Sequence, residues 1–358
     1  MKLVASCALS ALAAVAVLVG TQTAALHAAD GEVRVLNWKG WGTDEPWAIE
    51  AFEKETGLKV VHDYITSFPE TFTKLRVNPG YYDVVVLNAA FTQQAAAEGL
   101  IQPIDTSTIA NFGVLFPDLR DSPELNIDGS NFGVVWMWGG TSVSYNTDVF
   151  PEPPTSLEVL WDPKYANRVC WRDDAEDSVR FAALATGQDP DKPADMDKIR
   201  EKLLALKPQI KALWKSGDEW LKLVSAKECD LSTVWTNNTE AAAVQDKLPI
   251  SFIVAKEGAI AFRDAMSIAK DAPNVKGAEA FINYMVSVPF YQGWVKVGGA
   301  PVSANKEAIE QLPESSLTRT VLAAPEALPR LNFKGPLTDE QRQSYLDLWQ
   351  EVKASFAQ

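Results

Sequence analysis

EVRVLNWKGWGTDEPWAIEAFEKETGLKVVH, residues 32–62, opens on a short apolar run and closes on another, with a helical pattern between them. It reads as a strand (Val33–Leu36), a loop, a helix over about Glu45–Thr56 and a second strand (Leu58–His62), the opening of a βαβ unit. Thr43 or Asp44 can cap the first helical amides, Pro46 suits the first turn, and Gly57 can take the left-handed terminating conformation. Trp38 and Trp41 bracket Lys39 and Gly40 where the buried strand gives way to its loop.

The same alternation continues outward. A helix closes over Phe72–Val77, Asn78-Pro79-Gly80 turns the chain, DVVVL (83–87) is a fully buried strand, and Phe91–Glu98 is helical up to Gly99. The strand FGVVWMW (132–138) leads into Gly139-Gly140, and this double glycine, the β-rich TSVSYNTDVF after it and the Pro-rich turn at 151–154 together suggest a change of lobe. A helix at Ser156–Trp161 precedes the strand Arg168–Trp171, after which Asp174 or a neighbour caps another helix. Asp197–Leu223 reads as mainly helical with a break at Pro208. DLSTVW ends at Trp235, a helix restarts at TNNTEAAAVQ, residues 250–270 hold two strands, and Gly277–Met285 is an amphipathic helix. No eightfold repeat of strand and helix occurs, so two doubly wound α/β lobes are expected rather than a barrel. About 330 residues also exceed what one core usually organises.

Lys2, an apolar run over Leu3–Gly20 and small residues to Ala29 read in order as a secretory leader, 1–29, cleaved after Ala28 or Ala29, with Ala25 as a further option. Cys7 stands too early for lipid attachment. A soluble, exported protein is therefore expected. The formal net charge of -14 disfavours nucleic acid and anionic lipid, which need basic patches, and favours a cationic small ligand. Past the leader, Cys170 and Cys229 are free to form a disulfide in an exported compartment, although spacing leaves the pairing open. His62 is the lone histidine there, which argues against a histidine-centred metal site or a Ser/His/Asp triad; no cofactor is expected.

Four strand ends repeat one habit. Trp38 and Trp41 follow the first strand, Asp173, Asp174 and Asp177 follow Arg168–Trp171, Trp235 closes DLSTVW, and Phe262 with Asp264 closes AIAFRD. Ligands of open α/β sheets bind outside the carboxyl ends of strands, and aromatics with carboxylates on one rim suit an amine. Each residue also has a plainer reading. The tryptophans and Phe262 can be packing residues, the aspartates helix-capping acids, and Asp264 a solvated side chain.

The stretches LNWKGW, FEKETGLKVV, YYDVVVLNAAF, EGLIQPID, WMWGGTSVSYN, LWDPKYANRV, RDDAED, VWTNNTEAA and AKEGAIAFRDAMSI resemble, in order and spacing, the spermidine/putrescine-binding proteins of bacterial ABC importers. The resemblance implies a two-lobed periplasmic-binding-protein fold, each lobe a doubly wound mixed sheet flanked by helices, which closes on ligand between the lobes. Lobe one is drawn at 30–138 plus 264–308, and lobe two at 139–263 plus 309–358. The implied ligand residues are Trp38, Trp41, Asn88, Asp174, Asp177, Trp235, Phe262 and Asp264. Departures from the family pattern are visible. Lys39 and Gly40 replace polar and acidic residues, Asp177 stands for glutamate, Phe262 for tryptophan, Asn88 and Ala90 for serine and tyrosine, and Gly299 for a cleft tyrosine.

The implied function is a non-enzymatic, monomeric substrate-binding component that delivers a polyamine to an inner-membrane permease. An alternative keeps the fold and takes a zwitterionic amine (an opine, amino-acid derivative or aminophosphonate) whose anion meets Lys39 or Arg263. A secreted hydrolase with Asp174 and Asp177 as acid and base is a remote third reading, since glycosidase carboxylates face each other from separate elements. Ferric-ion capture is disfavoured because Tyr145 has no adjacent second tyrosine.

Overall fold

The strands Glu32–Trp38 and Lys59–Ile65 pair in parallel across their full length, as the opening βαβ unit requires. The structure, a computed structural model, describes residues 31–356, and the expected leader lies outside the described residues. Among those residues, no helix is long and apolar enough to cross a membrane. The helix Pro46–Thr56 begins on Pro46 and ends at Gly57, whose φ of 74° is left-handed. Neither expected cap is used: Thr43 is buried as an acceptor for Asn37 Nδ2 at 2.9 Å, and Asp44 accepts from the Gly40 amide at 2.9 Å. The loop, not the helix, claims both side chains.

One sheet runs through both lobes. Its order is Lys59–Ile65, Glu32–Trp38, Val84–Asn88, Ala259–Ala269, Val134–Asn146, Leu231–Trp235, Val169–Arg172 and Ile210–Trp214. The pairings are parallel within each outer flank. The two long central strands are antiparallel to each other and to their flanking neighbours. The two largest apolar clusters gather around Val33, Phe52, Trp136, Phe281 and Trp294, and around Val143, Leu157, Trp171, Phe181 and Trp349. After residue 309 the chain runs back over the first core through Leu312 and Leu322, then reaches the second at Leu337 and the helix Asp339–Phe356.

Val134–Asn146 continues unbroken through Gly139-Gly140, so the double glycine lies inside a strand that crosses the sheet. The reading of one segment changes. The segment 197–223 is two helices, Met196–Leu204 and Gly217–Ser225, with the strand Ile210–Trp214 between them. The first helix ends at Leu204, four residues before Pro208, which lacks the N–H that a further turn would need, and pairing of IKALW with Val169–Arg172 then outweighs helix propensity.

Cys170 and Cys229 form a disulfide, with Cα atoms 5.7 Å apart and 59 residues of separation. It ties the strand Val169–Arg172 to the entry of Leu231–Trp235, beside the buried rings of Trp214 and Trp220. Closing so long a loop removes unfolded-state entropy, so reduction or paired alanine substitution should lower unfolding stability by about 2–4 kcal/mol. Urea unfolding with and without reductant checks this; coincident curves would mean that the bridge contributes nothing.

Candidate functional site

A cleft of about 900 Å³ opens where the strand ends of the two lobes face each other. Its first-lobe wall starts from Asn37, which is buried and donates through Nδ2 to the Trp41 carbonyl at 3.1 Å as well as to Thr43. His62 Nε2 lies 3.2 Å from the same Thr43 hydroxyl, so the lone histidine braces this loop. Gly40 and Gly42 take φ of 73° and 74°, and a Cβ on Gly42 would fall inside the Trp294 ring. The turn therefore fixes where both tryptophans point. Trp41 packs edge-on against Trp294, with centroids 6.3 Å apart, and Trp38 edge-on against Phe68 at 5.5 Å. Phe68 in turn lies on Phe91 at 4.6 Å, and both extend the aromatic wall.

The floor comes from the crossing strands. Phe262 lies opposite Gly139, where a Cβ would approach its ring to 2.7 Å, so glycine is what lets the ring settle on the strand. Two residues on, Asp264 faces the same side. Its carboxylate accepts from Trp41 Nε1 and from Asn88 Nδ2, each at 3.1 Å. Among the described residues it has no ion-pair partner. Removal from water pushes its pKa up to about 6, against the two hydrogen bonds and the field of Lys334, which favour the charged form.

The second-lobe wall is organised differently. Arg172, at the end of Val169–Arg172, lays its guanidinium over the Trp235 ring at 4.2 Å. It pairs with Asp174 at 3.3 Å and makes a short contact to Asp177. Lys334 makes an equally close contact to the other Asp177 oxygen. Burial opposes the charge on Asp177, yet Lys334 and Arg172 outweigh it and hold the carboxyl below the usual range. Asp174 caps the helix Ala175–Ala185 by accepting from the Asp177 amide at 2.9 Å. At the rim, Arg342 lies 5.5 Å from the centroid of Phe91, across the cleft.

Of the residues expected at the site, Trp38, Lys39, Trp41, Asn88, Asp174, Trp235, Phe262 and Asp264 line the cleft. Asp177 does not. It is 1% exposed and sits behind Arg172 and Lys334 as their counter-ion. Arg263 also departs from expectation, because strand alternation turns it to the opposite face, where it pairs with Glu124 and lies 4.6 Å from the Phe333 centroid. Asp173 is drawn away by Trp349 and Lys353, each donating at 2.8 Å. The sequence reading missed Arg172, Lys334 and Arg342. Arg172 begins the RDDAED motif, whose acids alone drew attention, whereas Lys334 and Arg342 lie far along the chain in a segment with no motif.

Known proteins share this architecture. The model of the bacterial extracellular solute-binding protein family matches residues 47–324. The chain is 28% identical over 337 residues to spermidine/putrescine-binding periplasmic protein 1 of Haemophilus influenzae, covering 92% of this chain and 91% of that one. It is 31% identical over 281 residues to the spermidine/putrescine-binding periplasmic protein of Escherichia coli, covering 77% and 78%. The crystal structure of a spermidine/putrescine ABC transporter substrate-binding protein from Streptococcus pneumoniae superposes with a TM-score of 0.79 at 22% identity, covering 91% of this chain and 99% of that one.

The two deep carboxylates should respond oppositely to substitution. Asp177→Ala removes the buried counter-ion of two partly buried cations, leaving Arg172 with Asp174 alone, and should cost about 1–3 kcal/mol of unfolding stability. Asp264→Asn replaces a carboxyl that already resists ionisation and should leave stability equal or higher. Urea unfolding of both variants is the test, and a loss below about 1 kcal/mol for Asp177→Ala would deny its counter-ion role.

Proposed function

The chain belongs to the bacterial extracellular solute-binding proteins, and we propose that it is the periplasmic substrate-binding component of an ABC importer, capturing an amine and delivering it to the membrane permease. The amines carried in the names of its relatives are the polyamines putrescine and spermidine, which makes these the first amines to test. The observation that carries this reading is Asp264. A carboxylate at the cleft floor, without an ion-pair partner among the described residues and walled by Trp38, Trp41 and Phe262, suits one ammonium group. Its negative charge compensates the ligand, and each indole face adds about 2 kcal/mol when water is excluded.

Of the lobe boundaries drawn at 138/139, 263/264 and 308/309, the last falls in the helix Lys306–Glu310, after which the chain still packs on the first core through Leu312 and Leu322, and the first two fall inside the long central strands. Bending there would open the cleft without breaking either core. A hydrolytic role for Asp174 and Asp177 finds no support. Asp174 is committed to a helix cap and to Arg172, and two cations hold the proton off Asp177.

Calorimetric titration of the protein with putrescine and spermidine tests the amine reading. Binding should be lost or weakened by about 2–5 kcal/mol, at least thirtyfold, in Asp264→Asn. An unchanged affinity in that variant would remove Asp264 from the site.

The pH dependence follows from the raised pKa. Ligand needs the ionised carboxylate, so affinity should fall as pH drops through about 6, approaching tenfold per unit below it. The unliganded fold should behave in the opposite sense. It holds the proton more tightly than the unfolded chain, so this group's contribution to stability grows as pH falls from about 6 toward the unfolded value of about 3.9. A flat affinity between pH 7 and pH 5 would contradict the assignment.

A further inference from the structure

The second-lobe wall already holds a cation of its own. In the position where Trp235 and the acids Asp174 and Asp177 were expected to receive a ligand ammonium, the Arg172 guanidinium is stacked at 4.2 Å and paired with both carboxylates. A second ammonium from the solute would have to displace it. Lys334 stands beside it with one contact, to Asp177, and two further N–H donors.

Depth decides which charge this wall shows. The Asp177 side chain is 2% exposed, while those of Arg172 and Lys334 are 17% and 22% exposed and line the cleft. The negative partner is behind and the donors are in front. Beside them the helix Thr236–Val244 begins directly after Trp235 with no side-chain cap, and Asn237 and Asn238 of its first turn line the same wall. Those free amides add a partial positive charge to the cations already there.

Charge balance agrees. Lys39, Arg172, Lys334 and Arg342 share the cleft lining with Asp174, Glu176 and Asp264, with Asp177 behind. Four cations and four acids leave the surroundings neutral. A solute with no net charge preserves that balance, whereas a diamine brings two positive charges to a site with one unpaired carboxylate.

We infer that the second-lobe wall is an anion-accepting subsite. The solute is then an amine carrying one acidic group, with its ammonium at Asp264 and its carboxylate or phosphonate against Arg172, Lys334 and the first turn of Thr236–Val244. This rests on the amine reading of Asp264 and chooses among amines.

The test uses probes of nearly equal length that differ at one end: butane-1,4-diamine, 4-aminobutanoate and 3-aminopropylphosphonate, titrated calorimetrically into the intact protein. At least one acidic amine should bind at least tenfold more tightly than the diamine, and the stronger of the two identifies the acidic group. Lys334→Gln should weaken the acidic amines at least tenfold and leave the diamine equal or tighter. Asp264→Asn should weaken all three. Diamine binding alone would overturn the anion subsite and leave the amine reading standing, whereas binding of none would sink both. Because the probes themselves carry the change, the comparison stands even if Lys334→Gln fails to fold.

Discussion

The antiparallel pairing of Val134–Asn146 with Ala259–Ala269 holds both lobes to one sheet, and its register determines what the cleft contains. Phe262 lies opposite Gly139 and Asp264 opposite Met137. Two residues apart on a strand, Phe262 and Asp264 share a face, and Arg263 between them takes the other. A slip of one residue would exchange a carboxylate for a guanidinium at the floor and reverse the site's charge preference. The irregularity between Asp264 and Ala265 lies just past the acid, where a bulge adjusts the strand without disturbing the pairs that set it. Gly139 belongs to the same constraint, because any side chain there would lift Phe262 from the strand.

From this spine the walls are built by loops at strand ends, each fixed by a different means. The Trp38–Thr43 turn is held by the Asn37 amide and by two left-handed glycines, so its geometry is local. The second-lobe wall depends on partners from distant segments. Lys334 arrives from beyond the strand Leu331–Phe333 to neutralise Asp177, and Gly335 donates to Asp191 at 3.0 Å, holding that return segment against the second lobe. Contacts between the walls include Arg342 over Phe91 and Asn237 donating to the Gly299 carbonyl at 3.2 Å.

What the sequence disclosed and concealed obeys the same division. The βαβ opening, the Gly57 terminator and the buried strand near 84–88 were legible, because each depends on neighbours within a few residues. Trp38 and Trp41 were legible as cleft residues from their place at a strand end, whereas Asp264, expected to close a strand, lies in the middle of Ala259–Ala269 and reaches the cleft as part of a crossing strand. Asp177 was misplaced because its role depends on Lys334, whose arrival at the second lobe no local pattern announces. Arg263 was misplaced because which face it takes depends on strand register. Arg172 stood in plain view, but a charged residue at a strand end carries no mark of whether it meets solvent, a carboxylate or an indole ring. The strand Ile210–Trp214 was hidden for a related reason, since only its pairing to Val169–Arg172 makes IKALW extended.

The protein's net charge and its cleft act on different length scales. A formal charge of -14 sets a long-range field that draws cationic solutes toward the surface, and salt screens it beyond about 8–10 Å. Inside the cleft the short-range terms decide, because there the pairs are partly removed from water and screened much less. Those terms are not uniformly negative: the floor offers one carboxylate that burial has made reluctant to ionise, and the second-lobe wall presents guanidinium and ammonium donors backed by a buried acid. Composition alone would assign this chain to cations of any valence. The arrangement of Asp177 behind Arg172 and Lys334 limits the ammonium sites instead, because an acid already neutralised by the protein cannot also neutralise the ligand.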